Sequence, residues 1–221
     1  MCRFLIIRNK VKTESNRLLT DFANACRRSL TPEGDQQGDG WGVAWLKEGN
    51  WQIKKSLRPI WEETEVLAHI TAAEMFVIHA RSAGFPSQKG ILAYNQPYLE
   101  KNLCFVFNGM ARGVKLPYQL EGIIGAQKIF SLLKRKMLAM KPVEALWEIR
   151  SELISHADKI ESLNIGLIVD KSIYALNEYP GENDYFQLYS FKNEFHTVIG
   201  SMPFGSFPWE KLSRSELNTW Y

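Results

Sequence analysis

The chain has 221 residues, of which 45% are hydrophobic and 23% are charged, a composition typical of an ordinary globular protein with a sizeable core. Its formal net charge of +3 is too small to indicate nucleic-acid binding. No apolar stretch approaches the length of a membrane span, and the first residues do not have the pattern of a signal peptide. We therefore expect a cytoplasmic protein with no membrane or nucleic-acid partner.

Cysteine and histidine usage gives no indication of a metal site. The three cysteines, Cys2, Cys26 and Cys104, are odd in number and far apart, without a Cys-x-x-Cys pair. The four histidines also lack metal-ligand spacing. We predict a reducing compartment and neither a metal nor another cofactor.

In chain order, the hydrophobic pattern predicts strands, then helices in the middle, then strands again. The predicted strands are 2–8, 41–47, 51–55, 75–78, 103–107, 163–169, 172–176, 185–191 and 196–201. The predicted helices are 15–30, 62–72, 123–137 and one that begins near 142, and 204–221 is expected to be irregular. Short turns between neighbouring strands favour antiparallel pairing. The sequence therefore predicts a single α+β domain over 1–221, with sheets packed together and helices outside.

Cys2 is the most informative residue because it directly follows Met1. A small side chain at position 2 normally allows the methionine to be removed, which would give one residue with both a thiol and a free α-amino group. The thiolate is the attacking form, and an α-amino group with a pKa of roughly 7.7–8.0 can accept the thiol proton. On its own, a cysteine here is more often a small buried residue of a first strand.

Three further segments carry residues suited to a binding site. Gly38–Gly42 contains three glycines in five residues, which permits close backbone approach. His79-Ala80-Arg81 and Asn108-Gly109 are each predicted to end a strand. Taken singly, these segments are more often a loop, an ion-pair partner and a turn.

Together and in this order, the segments resemble class II glutamine amidotransferases of the N-terminal-nucleophile (Ntn) hydrolase superfamily, most of all the small stand-alone type. The matching residues are Met1-Cys2, Asp39–Gly42, His79–Arg81, Pro97-Tyr98, Asn108-Gly109 and Ser201–Pro203. The resemblance covers nearly the whole chain. It implies a four-layer αββα sandwich of antiparallel sheets with Cys2 on the first strand, and the predicted element order agrees with it.

The resemblance also implies residue roles. Cys2 would attack a side-chain amide to form a thioester, and its α-amino group would pass the thiol proton to the leaving ammonia. Asn108 and Gly109 would donate N–H groups to the developing oxyanion, and Arg81 would bind the substrate carboxylate as a bidentate fork. The other substrate-binding residues implied are His79, Gly40 and Trp41.

One position departs from the family in a way that bears on the substrate. The family normally holds the α-ammonium of glutamine with an Asp at the start of the helix after Asn-Gly. Here that position is Gly125, and the nearest acid is Glu121. An unpaired ammonium in a pocket is costly. Either Glu121 reaches the substrate, or the substrate lacks the ammonium.

Two classes of function therefore remain open. The first is an enzyme: a glutaminase or glutamine amidotransferase that releases ammonia, or an amidase for another carboxylate-bearing amide. The second is a binding protein that kept the fold and lost turnover. Retention of Cys2 and Asn108 favours the enzyme. The sequence shows no synthase domain, so we expect a synthase partner or another ammonia acceptor to collect any ammonia released.

Overall fold

A computed structural model describes residues 1–10, 15–28, 36–70, 73–181 and 184–221 of the chain. Its strands are β1 Arg3–Asn9, β2 Trp41–Lys47, β3 Asn50–Ser56, β4 Met75–Ala80, β5 Tyr98–Glu100, β6 Leu103–Arg112, β7 Lys159–Val169, β8 Ser172–Asn177, β9 Tyr189–Lys192, β10 His196–Gly200, β11 Glu210–Lys211 and β12 Glu216–Trp220. Its helices are α1 Asn16–Ala25, α2 Thr64–Ala68, α3 Gly125–Lys136 and α4 Pro142–His156.

The strands form two antiparallel sheets. The seven-stranded sheet has the order β11-β9-β10-β1-β4-β2-β3, so β1 lies between β10 and β4. The five-stranded sheet has the order β12-β8-β7-β6-β5, with β6 between β5 and β7. The strand that begins beside Cys2 and the strand that contains Asn108 are therefore both internal strands, and each is held on two sides.

Alternating side chains of β1 show how the layers form. Phe4 and Ile6 face the five-stranded sheet, and they pack in the cluster between the two sheets with Val106. Leu5 and Ile7 point the opposite way, into a cluster that contains residues of α1 and α2. Because both faces of β1 are covered, the strand is a continuous apolar run rather than an alternating one.

The fourth layer covers the outer face of the five-stranded sheet. Phe105 and Ile165 pack there against Ile129 of α3 and Ile149 of α4. The molecule is thus helix, sheet, sheet and helix in succession, which confirms the predicted four-layer αββα sandwich. None of the described helices is long and apolar enough to cross a bilayer.

The prediction that strand 103–107 ends at Asn108-Gly109 is wrong. Strand β6 continues to Arg112 because β7 pairs with it along its whole length. Asn108 lies opposite Asn164 and Gly109 opposite Leu163, and a bulge follows between Met110 and Ala111. Tertiary pairing has overridden the local turn preference of Asn-Gly.

The prediction that 204–221 is irregular is also wrong in part. Strand β12 pairs with β8 along its length, and β11 pairs with β9. The ring of Trp209 lies edge-on to Phe191 at 4.7 Å between centroids, and Phe207 stacks on Phe191 at 5.1 Å. These aromatic residues therefore pack back on the sheet.

Several predicted boundaries also differ. Helix α1 ends at Ala25 and α2 covers only Thr64–Ala68, while 29–30 and 71–72 lie outside the described residues. Strand β9 begins at Tyr189 rather than 185, after a single 3-10 turn at Asp184–Phe186. Strand β7 begins at Lys159, four residues before the prediction, because it pairs with the extended end of β6.

Candidate active site

Cys2 immediately precedes β1 and lines a cavity of about 1040 Å³. Its Sγ atom lies 3.5 Å from the carbonyl oxygen of Ser82. Just beyond it, the backbone N–H of Phe4 donates a 2.9 Å hydrogen bond to the Ser201 hydroxyl, which is buried. The C-terminal half of the chain therefore fixes the backbone position of the predicted nucleophile.

The buried Arg3 adds a side-chain anchor for the same strand. Its guanidinium donates to the carbonyl oxygen of Tyr185 at 2.8 Å and lies 3.9 Å above the Tyr185 ring. A guanidinium stacked on an aromatic ring and hydrogen-bonded at its edge has little freedom to move. Cys2 is thus attached to a rigid point of the seven-stranded sheet.

Met1 precedes Cys2 in the structure and also lines the cavity. Its carbonyl oxygen accepts hydrogen bonds of 3.1 Å from the Gln37 side chain and from the Tyr185 hydroxyl. In this form the nitrogen of Cys2 belongs to a peptide bond and has no basic lone pair. The proposed base therefore exists only after Met1 has been removed.

The other two thiols have a different environment. Cys26 and Cys104 are buried in separate core clusters. Burial raises the pKa of both thiols well above the usual range, which keeps them protonated and unreactive. Of the three cysteines, all of which the structure describes, only Cys2 lines the cavity.

Arg81 follows β4 and faces the cavity although it is only 3% exposed. Its Nη2 atom donates to the Gln88 carbonyl oxygen at 2.8 Å, and its guanidinium lies 5.6 Å from the centre of the Tyr94 ring. Its Nη1 atom is buried without a hydrogen-bond partner among the described residues. An unsatisfied donor of this kind marks a candidate site for an anion.

The Gly-rich segment supports Arg81 through the backbone. The Arg81 N–H donates to the Gly40 carbonyl oxygen at 2.8 Å, and the Asp39 N–H donates to the Arg81 carbonyl oxygen at 2.9 Å. The Asp39 carboxylate accepts the N–H of Ala83 at 2.8 Å and pairs with Lys89 at 3.0 Å. Gly40 has a φ of +106°, and a Cβ there would collide with Asn95, so glycine is required.

Three predicted substrate-binding residues, Gly40, Trp41 and His79, lie behind the cavity wall and are not among its lining residues. The buried Trp41 indole donates to the Glu63 carboxylate at 2.9 Å. His79 is fully buried in β4; burial, and then the nearby positive charge of Arg81, lowers its pKa to about 3. It is therefore neutral. Contact of these residues with a substrate stays a prediction.

The predicted oxyanion donors lie side by side on β6. Asn108 is fully buried, and neither its Oδ1 nor its Nδ2 atom has a hydrogen-bond partner within the described part of the chain. Gly109 lines the cavity, and a Cβ there would collide with the carbonyl group of Ser162 on β7. Leaving a buried amide unsatisfied costs about 1–3 kcal/mol. A ligand that accepts a hydrogen bond from Asn108 would offset this cost.

Gln96 also lines the cavity. Its side chain makes a reciprocal pair with the backbone of Phe107, donating to the carbonyl at 3.1 Å and accepting the N–H at 2.6 Å. It thereby holds the residue directly before Asn108. In the sequence alone, nothing distinguishes Gln96 from a surface glutamine.

The far side of the cavity carries many apolar side chains beside the exposed Lys115 and Lys128, and the sequence did not indicate it. Side chains from the end of β6, from the following loop and from the start of α3 form this wall. Its apolar members include Met110, Leu116, Leu120, Ile124, Ala126 and Ile129. Gly125 also lines it, and a Cβ built there meets nothing within 4 Å. Glu121 is exposed and pairs with Lys134 at 3.4 Å rather than lining the cavity.

The layers and the strand order define the class of fold: an Ntn-hydrolase sandwich, as the resemblance implied. No protein-family model and no curated protein matches the sequence. Among solved structures, a glutamine aminotransferase class-II domain protein from Silicibacter pomeroyi superposes with a TM-score of 0.68 at 15% identity, over 99% of this chain and 94% of that chain.

Two further solved structures are similar. The glutamine phosphoribosylpyrophosphate amidotransferase of B. subtilis has a TM-score of 0.60 at 12% identity, and this chain spans only 42% of its length. A predicted glutamine amidotransferase from Pseudomonas aeruginosa has a TM-score of 0.54 at 13% identity, over 100% of this chain and 96% of that chain. At such identities the similarity establishes the fold, and the activity has to be argued from the site.

Proposed function

We propose that the protein is a glutamine-amidotransferase-like amidohydrolase, which cleaves a carboxylate-bearing primary amide through a thioester on Cys2. The observation that carries the proposal is the composition of the cavity wall. Cys2, Arg81 and Gly109 all line it, and the fully buried Asn108 beside Gly109 has an unsatisfied side-chain amide. These positions support Cys2 as the nucleophile, Arg81 as the carboxylate clamp and Gly109 as an oxyanion donor, on one domain that we place over 1–221. Asn108 does not line the cavity, and its proposed role as the second donor rests on its place next to Gly109 in β6 and on its unsatisfied amide.

The proposed reaction begins once Met1 has been removed. The α-amino group of Cys2 takes the thiol proton, and the sulfur adds to the amide carbon. The oxygen, now negatively charged, accepts hydrogen bonds from the Asn108 side chain and the Gly109 N–H. The carbon–nitrogen bond breaks and ammonia leaves with the proton. Water then adds to the thioester, the carbon–sulfur bond breaks, and a carboxylic acid and the free thiol result.

The ammonia released in the first step needs an acceptor if the protein is an amidotransferase. The similar B. subtilis protein is named as an amidotransferase acting with phosphoribosylpyrophosphate, and more than half of its length has no counterpart here. A synthase partner or a separate acceptor would collect ammonia from this chain in an amidotransferase. Ammonia release by the isolated protein tests the hydrolytic half without that partner.

The test combines mass spectrometry with an activity assay on protein expressed in its native host. Intact mass should show that Met1 is absent, and a diazo-ketone analogue of glutamine should add a single adduct on Cys2. Ammonia release from a panel of amides should disappear after this labelling. An adduct on Cys26 or Cys104 instead, or turnover by protein that retains Met1, would contradict the mechanism.

A binding protein of the same fold is the second candidate. The observation in its favour is that the Met1 carbonyl is held by two hydrogen bonds, which an unprocessed N-terminus would retain. Met1 retained in native-host protein, together with no turnover of any amide, would support this candidate over the enzyme.

A further inference from the structure

The cavity extends well beyond the groups that the proposed chemistry uses. At about 1040 Å³ it lies at the upper end of the range for drug-sized ligands, far above what a free amino acid fills. Its far wall is contiguous with the core: Leu116, Leu120 and Ile124 pack against the cluster between the five-stranded sheet and helices α3 and α4. A substrate that occupies this space therefore has an apolar part.

The charges at the cavity favour an anion. Arg81 presents its buried, unsatisfied Nη1 atom, and Lys115 and Lys128 add positive charge among the exposed lining residues. None of the described lining residues is an aspartate or a glutamate. A carboxylate is thus stabilised at Arg81, whereas none of the described lining residues offers an ammonium an acidic partner.

The start of α3 also disfavours a substrate ammonium. Gly125 opens the helix towards the cavity, flanked by the apolar Ile124 and Ala126. The N-terminal end of a helix carries partial positive charge, which disfavours a cation. The open space over Gly125 accepts a neutral group. Burial of the neighbouring Ile124 and Ala126 side chains beneath an apolar group would be favourable.

We propose that the substrate is a primary carboxamide that carries a carboxylate and, in place of a free ammonium, an apolar acylamido group: an N-acylglutamine or a close chemical relative. The carboxylate binds Arg81, the carboxamide carbon faces Cys2, and the acyl chain lies along Leu116, Leu120 and Ile124. This inference rests on the proposed function for the bond cleaved, but the acyl-chain site can be tested without catalysis.

Binding is measured first, by calorimetry on Cys2→Ala protein with Met1 removed. The probes are L-glutamine, N-acetylglutamine, N-butanoylglutamine and N-hexanoylglutamine. We expect the affinity to rise about fourfold for each added methylene, the factor for burying one such group. Equal affinity along the series, or tighter binding of free glutamine, would overturn the inference whether or not the protein is an enzyme.

Two neighbouring isoleucines supply a matched pair of variants. Ile124 lines the cavity and lies at the N-terminal cap of α3, where asparagine is favourable, whereas Ile123 is 75% exposed and does not line it. We expect Ile124→Asn to flatten the dependence of affinity on chain length and Ile123→Asn to keep it. If both variants keep it, the acyl chain does not lie on this wall and the inference fails.

Hydrolysis by wild-type protein with Met1 removed distinguishes the proposed enzyme activity from the proposed acyl-chain site. Turnover of N-hexanoylglutamine with kcat/KM at least about 100-fold above that of glutamine supports both. Chain-length-dependent binding without hydrolysis of any amide supports the binding inference and contradicts the proposed enzyme. Hydrolysis of glutamine that exceeds that of every acylated amide contradicts the inference and leaves the enzyme standing.

Discussion

The two walls of the cavity are built in different ways. The polar wall carries Cys2, Arg81 and Gly109 on or beside internal strands. Hydrogen bonds accepted by Ser201 and Gly40 and donated by Gln96 hold it in place. The apolar wall comes from the end of β6, a loop and the start of α3, and several of its side chains pack against the core cluster of the five-stranded sheet and its helices. Under the proposed function, the polar wall would determine which bond is cleaved and the apolar wall which molecule is accepted.

Among changes to the polar wall, Cys2→Ala should have the largest effect on activity. We expect amide hydrolysis to fall by at least about 10⁴-fold, because the change removes the nucleophile itself. Thermal unfolding should be nearly unchanged, since Cys2 is only partly buried. The control is Cys104→Ala, which alters a buried thiol away from the cavity. Residual turnover near the wild-type rate would eliminate Cys2 as the nucleophile.

Asn108→Ala should lower kcat by about 10²–10³-fold with little change in KM, the usual loss for one oxyanion donor. The amide acts mainly on charge that develops in the transition state. Asn102→Ala, which removes an exposed amide in the turn just before the same strand, serves as the control. A raised KM with normal kcat would show that Asn108 binds substrate in the ground state instead.

Arg81→Ala should raise KM for any carboxylate-bearing amide about 10- to 100-fold, because a hydrogen-bonded charge pair is lost. Arg81→Lys keeps the charge but not the planar fork, and we expect it to recover only part of the affinity. The exposed Arg58→Ala is the control. Equal effects of the Ala variant on an amide without a carboxylate would disprove the clamp.

His79 reports on the burial of the polar wall. Its pKa of about 3, lowered mainly by burial, lies below the ordinary value of 6.5. Between these values the unfolded chain binds a proton that the folded chain does not, so stability is lost as the pH falls from 6.5 towards 3, by at most about 1.4 kcal/mol per pH unit. Denaturant melts should show a shallower pH slope for His79→Gln than for wild type. The exposed His69→Gln is the control, and an unchanged slope in His79→Gln would refute the assignment.

Gly125→Asp tests whether a carboxylate on the apolar wall changes which amide is preferred. The structure leaves room for the side chain, and an aspartate at a helix start is favourable. We expect the use of L-glutamine to improve about three- to tenfold, because the new carboxylate would pair with the substrate ammonium, while acylated amides lose affinity. Gly125→Asn has the same shape without the charge and should give neither change. If the Asn variant matches the Asp variant, the charge is irrelevant.

The fold and the polar wall were predictable because their signals are local or ordered along the chain. The apolar run at β1, the glycines before β2 and the position of Cys2 after Met1 are visible without a structure. The placement of Arg81 and Gly109 at the same cavity as Cys2 followed from the resemblance, and the structure agrees with it.

The remaining features depend on contacts between distant residues. Asn108-Gly109 has the local preference of a turn, but pairing with β7 keeps it inside a strand. The apolar wall combines side chains from β6, a loop and α3, each of which is an unremarkable core-type residue in the sequence. The resemblance implied Trp41 and His79 as substrate-binding residues; both lie in strands, where side chains alternate between faces, and neither lines the cavity in this structure, so their contact with a substrate stays a prediction.

The hydrogen bonds between Phe4 and Ser201 join residues that lie 197 positions apart. Strand β1 also needs β10 as its neighbour, so during synthesis on the ribosome it waits, incompletely paired, until nearly the whole chain has emerged. This high contact order predicts slow folding. It also leaves the N-terminus accessible to a methionine aminopeptidase throughout translation, so Met1 would be removed and the α-amino group of Cys2 freed before the cavity closes around it.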